Sequence, residues 1–224
     1  GNPSTDSAIR RLQQQGCERI LFFSLYPHYA AATTGTANDK AFQTLQKLRF
    51  QPSVRTVPSY HDNPHYISAL CQSVEQAYAE MDERPTALVT SYHGLPKSYF
   101  MKGDPYHCHC QKTSRLMREA LGWDKSEVHT TFQSRFGPEE WLTPYTVEYV
   151  AKLAKEGHKR IAIMAPGFSS DCVETLEEIN EEIKEAFEHA GGEHFHYIPC
   201  LNDADAHIDM IENIVLNETR GWLG

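Results

Sequence analysis

The chain has 224 residues, 40% of them hydrophobic and 23% charged, with a formal net charge of −9. That length suits one large α/β domain, or one domain and part of another, and the acidic balance excludes the basic surface that a nucleic-acid partner requires. No apolar run approaches the ~18 residues of a membrane span, and Gly1–Gln15 lacks the apolar core of a secretion signal.

In chain order, Ser4–Gln15 patterns as an amphipathic helix and Arg19–Leu25 as a short apolar strand. Asn38–Arg49 follows as a helix, Val54–Tyr60 as a weaker strand and Pro64–Met81 as a helix. Thr86–Tyr92 is a clear strand, Gln111–Leu121 a helix, Glu127–Phe132 a strand and Thr143–Lys155 a helix. Lys159–Ala165 is again a clear strand, Asp171–Ala190 an acidic helix, Phe195–Pro199 a last strand and Asp203–Leu216 a last helix. Strands alternating with helices predict βαβ units and an α/β fold of Rossmann-like parallel sheets flanked by helices. A doubly wound domain normally opens on a strand, whereas this chain opens on a helix. The expected organisation is therefore a remnant of an incomplete first lobe (1–25), a second lobe carrying the chemistry (26–215) and a tail (216–224). Six cysteines, at 17, 71, 108, 110, 172 and 200, form no disulfide framework and fit a reducing, cytoplasmic setting. A peripheral membrane contact stays open.

In parallel α/β sheets functional groups gather beyond the carboxyl ends of strands. Three of those ends are unusual here: His93-Gly94-Leu95-Pro96, then Gln133-Ser134-Arg135 with Trp141-Leu142, then Gly167-Phe168 leading to Asp171. A neutral imidazole at position 93 can take a proton or bind a borderline metal near pH 7. It can equally be a hydrogen-bonded structural histidine. Between Asp171 and Glu188 stand eight acidic residues and one lysine, a net −7. Asp171 and Glu174 have capping-box spacing, and Gly191-Gly192 stop the helix. Leu176, Ile179, Ile183 and Phe187 form its apolar stripe. Glu174, Glu178 and Glu182, at i, i+4 and i+8, drift only about 80° around a helix axis and so form one row opposite that stripe. Such a row is either a solvated acidic face or a path that hands on a hydrated divalent cation without trapping it. His107-Cys108-His109-Cys110 has metal-ligand residue types, but a closed zinc or iron–sulfur site needs four converging ligands and the other cysteines are scattered.

Taken together, these strand ends resemble the ferrochelatase family. The matching stretches are Ser91-Tyr92-His93-Gly94-Leu95-Pro96; Gln133-Ser134-Arg135 with Gly137-Pro138 and Trp141-Leu142-Thr143-Pro144; and Gly167-Phe168 with Asp171 and Glu174-Thr175-Leu176. Tyr26-Pro27-His28-Tyr29 with Thr33-Thr34-Gly35, and Gly103-Asp104-Pro105-Tyr106, match as well. The resemblance runs from about Arg19 to Ile179. It implies two Rossmann-like lobes around a porphyrin cleft, with His93 and Glu174 facing each other across it. It further implies Tyr26, Trp141 and Phe168 in the pocket wall, and Glu178 and Glu182 on the acidic row leading outward. The implied activity is insertion of Fe²⁺ into protoporphyrin IX with release of two protons, porphyrin and ferrous iron being the substrates. No tightly bound cofactor and no iron–sulfur cluster are expected, and the protein is expected as a monomer or homodimer. A chelatase for coproporphyrin or cobalt, and a non-catalytic tetrapyrrole- or metal-binding protein, are the alternative readings. The family's N-terminal part, with its Gly-Thr-Pro-type opening, has no counterpart in these residues.

Overall fold

The structure, a computed structural model, describes residues 1–222. Helix α1 (Thr5–Gln14) starts on Ser4, whose hydroxyl accepts the Ser7 N–H at 3.1 Å. Strand β1 (Arg19–Phe22) follows. A π-helical turn (Ala31–Gly35) then runs into α2 (Thr36–Leu45), and β2 (Ser53–Thr56) returns parallel to β1 with Arg19 opposite Ser53. Ile9, Ile20 and Leu45 close a small core beneath this two-stranded sheet. Strand β2 lies inside the 26–215 span expected for the second lobe. The α2 crossover nevertheless returns it beside β1, so the first sheet takes strands from both sides of residue 25.

The larger unit is built by α3 (Pro64–Ala79), β3 (Ala87–His93), α4 (Lys97–Met101), α5 (Tyr106–Leu121), β4 (Val128–Gln133), α6 (Thr146–Lys155) and β5 (Arg160–Met164). It continues with α7 (Val173–Leu176), a second π-helical turn (Glu178–Ile183), α8 (Lys184–His189), β6 (His194–Tyr197) and α9 (Asp205–Glu218). Its sheet is wholly parallel in the order β4-β3-β5-β6. The side-chain alternation of a strand divides the core between the two faces. Leu88, Ala162 and Met164 pack with Val74 of α3, Met117 of α5, and Met210 and Ile214 of α9. Ala87, Val89, Ile161 and Ile163 pack with Val150 and Leu153 of α6 and with Ile179, Ile183 and Phe187. Both faces of the sheet are therefore covered, as a parallel sheet requires. At about 1.5–3 kcal/mol for each large apolar side chain buried, the two layers dominate the stabilisation. All strands point the same way, so the ends of β3, β4 and β5 share one rim.

Helices α5 and α4 differ from the sequence pattern. Helix α5 begins at Tyr106 rather than Gln111, because Asp104 Oδ1 accepts the Tyr106 N–H at 3.0 Å and the turn after Pro105 is already helical. The His107–Cys110 stretch is thus the first turn of a helix. The short helix α4 had no periodic signal. Of the 216–224 tail, Leu223 and Gly224 lie outside the described residues. Before them α9 runs to Glu218, Arg19 donates to the Trp222 carbonyl, and the Arg55 guanidinium sits 4.4 Å over the Trp222 ring, tying this end to the first sheet. Among the described residues, no helix is long and apolar enough to cross a membrane.

Candidate active site

His93 closes β3, half-buried on the shared rim. Its Nδ1 lies 2.7 Å from the Gly94 carbonyl oxygen. A carbonyl can only accept, so Nδ1 carries a proton, and in the neutral ring the lone pair is on Nε2. The surrounding backbone is tightly held. Tyr106 donates its hydroxyl to the His93 carbonyl at 2.9 Å, and the Gly94 N–H donates to the Gln133 carbonyl at 2.7 Å. A Cβ at position 94 would stand 2.7 Å from that carbonyl oxygen and 3.0 Å from the Trp141 ring, so only glycine fits. Trp141 is 4% exposed, bridges to Pro96 and packs against Gly94. Phe136, 72% exposed, stands 4.9 Å from its ring.

Below the rim, the fully enclosed His28 is ringed by Tyr66, Tyr92 and Tyr106. Thr113 donates its hydroxyl to the His61 carbonyl at 2.7 Å, so at its 2.8 Å contact with His28 Nε2 the histidine is the donor. Burial pushes the His28 pKa well below the ordinary value, with the charges of His61 and His109 adding to the effect. His61 stacks on His109 at 3.6 Å, and burial followed by that neighbour brings its pKa down to about 4.

The acidic segment departs from the unbroken helix expected over Asp171–Ala190. It is divided into α7, the π-helical turn and α8. Its cap is Cys172, paired reciprocally with Thr175, not Asp171 with Glu174. The Asp171 carboxylate is drawn away by distant partners: Tyr197 Oη at 2.5 Å, Asn202 Nδ2 at 2.8 Å and the Cys200 N–H at 3.2 Å. Burial works against the charge of Asp171, but these hydrogen bonds prevail and its pKa lies below the ordinary value. The break also moves Leu176 off the apolar stripe. It is 52% exposed, while Ile179, Ile183 and Phe187 stay buried.

Of the three glutamates in the row, Glu174 leaves the capping-box role to Thr175. Its pKa is lowered first by the Cys172 thiol, then by its own backbone N–H and by the charge of nearby His93. Glu178 is clasped: its Oε1 accepts the Ser134 N–H at 2.6 Å, and its Oε2 accepts Ser134 Oγ at 2.6 Å and Gln133 Nε2 at 3.0 Å. Ser134 adopts φ +61°, a left-handed conformation uncommon outside glycine, to present both donors. Glu182 is exposed and shares a cavity of about 200 Å³ with Glu178, Gln133 and Ser134. A π turn rotates less per residue than an α turn, which offsets the drift of the row. Among the described residues, no three His, Cys, Asp or Glu side chains converge into a metal cage. This holds for the row and for His107–Cys110, where Cys110 is buried, Cys108 is exposed and His109 accepts the Tyr29 N–H.

Of the expected wall residues, Tyr26 is 48% exposed and Phe168 half-buried. Their loops are joined by Ser169 Oγ donating to the Leu25 carbonyl at 2.7 Å. Gln133, Ser134 and Tyr106 stood inside the matching stretches but were not singled out as site residues. A polar residue at a strand's carboxyl end was their sole signal, and nothing local announces a serine at positive φ.

The fold is that of chelatase structures. SirB from Bacillus subtilis with Fe³⁺ superposes with TM-score 0.67 at 15% identity, covering 98% of this chain and 77% of that one. The sirohydrochlorin chelatase SirB from Bacillus subtilis subspecies spizizenii, in complex with cobalt, gives TM-score 0.65 at 10% identity. More specifically, the chain belongs to the ferrochelatase family, whose model matches residues 1–219. It is 59% identical over 223 residues to the ferrochelatase of Rhodobacter capsulatus and 60% identical to that of Allorhizobium ampelinum. It is covered in full and spans 64% and 65% of their lengths, respectively.

Proposed function

We propose that the whole protein is a protoporphyrin ferrochelatase, inserting Fe²⁺ into protoporphyrin IX to give protohaem and two protons. Insertion replaces two pyrrole N–H protons by one dication, so charge balance demands a proton acceptor beside the macrocycle. The single observation that carries the reading is the His93 ring. Its Nδ1 proton is committed to the Gly94 carbonyl, its Nε2 has no hydrogen-bond partner among the described residues, and Glu174, a carboxyl with a lowered pKa, lies within its electrostatic reach. In this reading neutral Nε2 takes the two pyrrole protons in succession, passing each to solvent, and the Glu174 carboxylate stabilises the imidazolium formed each time. Trp141 backs His93, and Tyr26 and Phe168 flank the macrocycle. Glu182 receives hydrated iron from solvent and Glu178 stands between it and Glu174. Six unpaired cysteines support a cytoplasmic location.

The test is anaerobic incubation of the whole protein with Fe²⁺ and protoporphyrin IX, following haem absorbance. Wild type should form haem, and His93→Ala should lose about 10²–10⁴ in rate. No haem from wild type, or identical rates for the variant, overturns the reading. Much faster metalation of coproporphyrin would replace the substrate while keeping the activity.

A further inference from the structure

One buried side chain spans the two halves of the site without being needed by the chemistry. Gln133 closes β4, is 4% exposed and is the register partner of His93. Its backbone carbonyl holds the Gly94 N–H at 2.7 Å. Its amide faces the acidic segment: Nε2 donates to the Glu174 carbonyl at 2.7 Å and to Glu178 Oε2 at 3.0 Å, while Oε1 accepts the Ser91 hydroxyl at 2.7 Å. Chemistry dictates this orientation. A flipped amide would set its oxygen against a carbonyl and a carboxylate, neither of which can donate. Ser91 is itself buried and lies 2.8 Å from Thr146 Oγ1, so the group that orients the amide is also fixed. Both N–H groups and the oxygen of the amide are thereby used. The Glu174 carbonyl is among the last four of the short helix α7, groups that a helix end leaves without internal partners.

Resting on the ferrochelatase reading, we infer that Gln133 is a positioning residue: by gripping the backbone of Glu174 and the carboxylate of Glu178 from the strand that holds Gly94, it sets the offset between His93 and Glu174. The reacting atoms of neither residue are consumed. Gln133 binds Glu174 through its main chain, and the Nε2 atom of His93 stays free.

Gln133→Met keeps the volume and removes the polar grip. In the whole protein, kcat for haem formation should fall about 10²-fold, the loss expected when a reacting pair is misplaced by about 1 Å. KM for porphyrin should stay within about twofold, since the walls of the pocket are untouched. Hydrogen exchange of residues 173–183 should speed up about tenfold with β3 unchanged. Ser91→Ala, which frees the amide to rotate and also removes the contact with Thr146, should move kcat and exchange in the same direction by less, and it decides the matter should Gln133→Met fail to fold. A kcat within about twofold of wild type, a rise in porphyrin KM instead of a fall in kcat, or unaltered exchange over 173–183 overturns the inference. Absence of haem formation by wild type overturns the ferrochelatase reading instead, and the exchange measurement still decides whether Gln133 fixes the helix.

Discussion

The two sides of the site are built to different tolerances. Around His93 the backbone is held at Gly94 by Gln133, at His93 by Tyr106 and at Leu95 by the Leu142 N–H, over a fully buried tyrosine–histidine layer. The facing acidic segment is a helix in three pieces, with Val173 and Leu176 67% and 52% exposed. It is tied to the β4 end through Gln133 and Ser134. The difference follows from the work proposed for each. A proton acceptor must meet a pyrrole nitrogen at one distance and angle, so rigidity favours the rate. Carboxylates that pass on a hydrated cation must bind and release it, so moderate hold and exposure suit them.

Gly94→Ala should break the rigid side most severely. Its methyl would meet a backbone oxygen that cannot turn aside, so the strand end must shift, at a cost of about 1–3 kcal/mol. Haem formation should fall about 10²-fold through displacement of His93. Denaturant unfolding and the haem assay together check this. A variant of wild-type stability would show that the strand end is less constrained than the contacts indicate.

Acidification should separate the two sides by pH. His28 and His61 have folded pKa values below the ordinary ~6.5. Below that value the unfolded chain takes up protons that the buried rings refuse. Stability is then complete above about pH 6.5 and falls as pH drops toward 4, by up to ~1.4 kcal/mol per pH unit for each histidine. Asp171 has the opposite chemistry, a carboxyl with a lowered pKa. Its contribution is present above the ordinary Asp value and is lost only as pH falls below ~3.9, through the folded pKa. Hydrogen exchange at pH 7, 5.5 and 4.5 should show β3 and α5 loosening before the anchor of α7. Equal protection of β3 at pH 7 and 4.5 would refute the histidine account.

What the sequence disclosed divides along the same line. The strands of the rigid side are apolar runs bounded by helical periodicity, and His93 falls at the end of one, so local pattern sufficed. The acidic segment misled because its pattern was locally sound. Asp171-x-x-Glu174 has capping spacing, but Asn202 and Tyr197, distant in sequence, compete for the Asp171 carboxylate. The i, i+4 row likewise assumed an unbroken helix, whereas tertiary bonds from Gln133 and Ser134 meet it at Glu174 and Glu178. His28 was visible as a residue of the matching Tyr-Pro-His-Tyr stretch. Its burial between tyrosines from α3, β3 and α5 was not, since it depends on three elements packing together.

The smallest expected effects lie within the row itself. Glu178→Gln keeps the shape but exchanges one acceptor oxygen for a donor facing Ser134 and Gln133. Stability should drop by about 1–3 kcal/mol, the cost of leaving buried donors without acceptors. Glu182 is exposed, and Glu182→Gln should change stability by less than ~0.5 kcal/mol. In the haem assay Glu182→Gln should raise KM for Fe²⁺ about twofold with kcat unchanged, as for a group that meets iron before the reaction but not during it. The effect should shrink in 1 M salt, where the Debye length is about 3 Å and an exposed carboxylate attracts little from solvent. Equal destabilisation by the two substitutions would mean that the clasp around Glu178 contributes nothing. The acidic segment would then be held by its apolar stripe of Ile179, Ile183 and Phe187 and by the Gln133 bond to the Glu174 carbonyl.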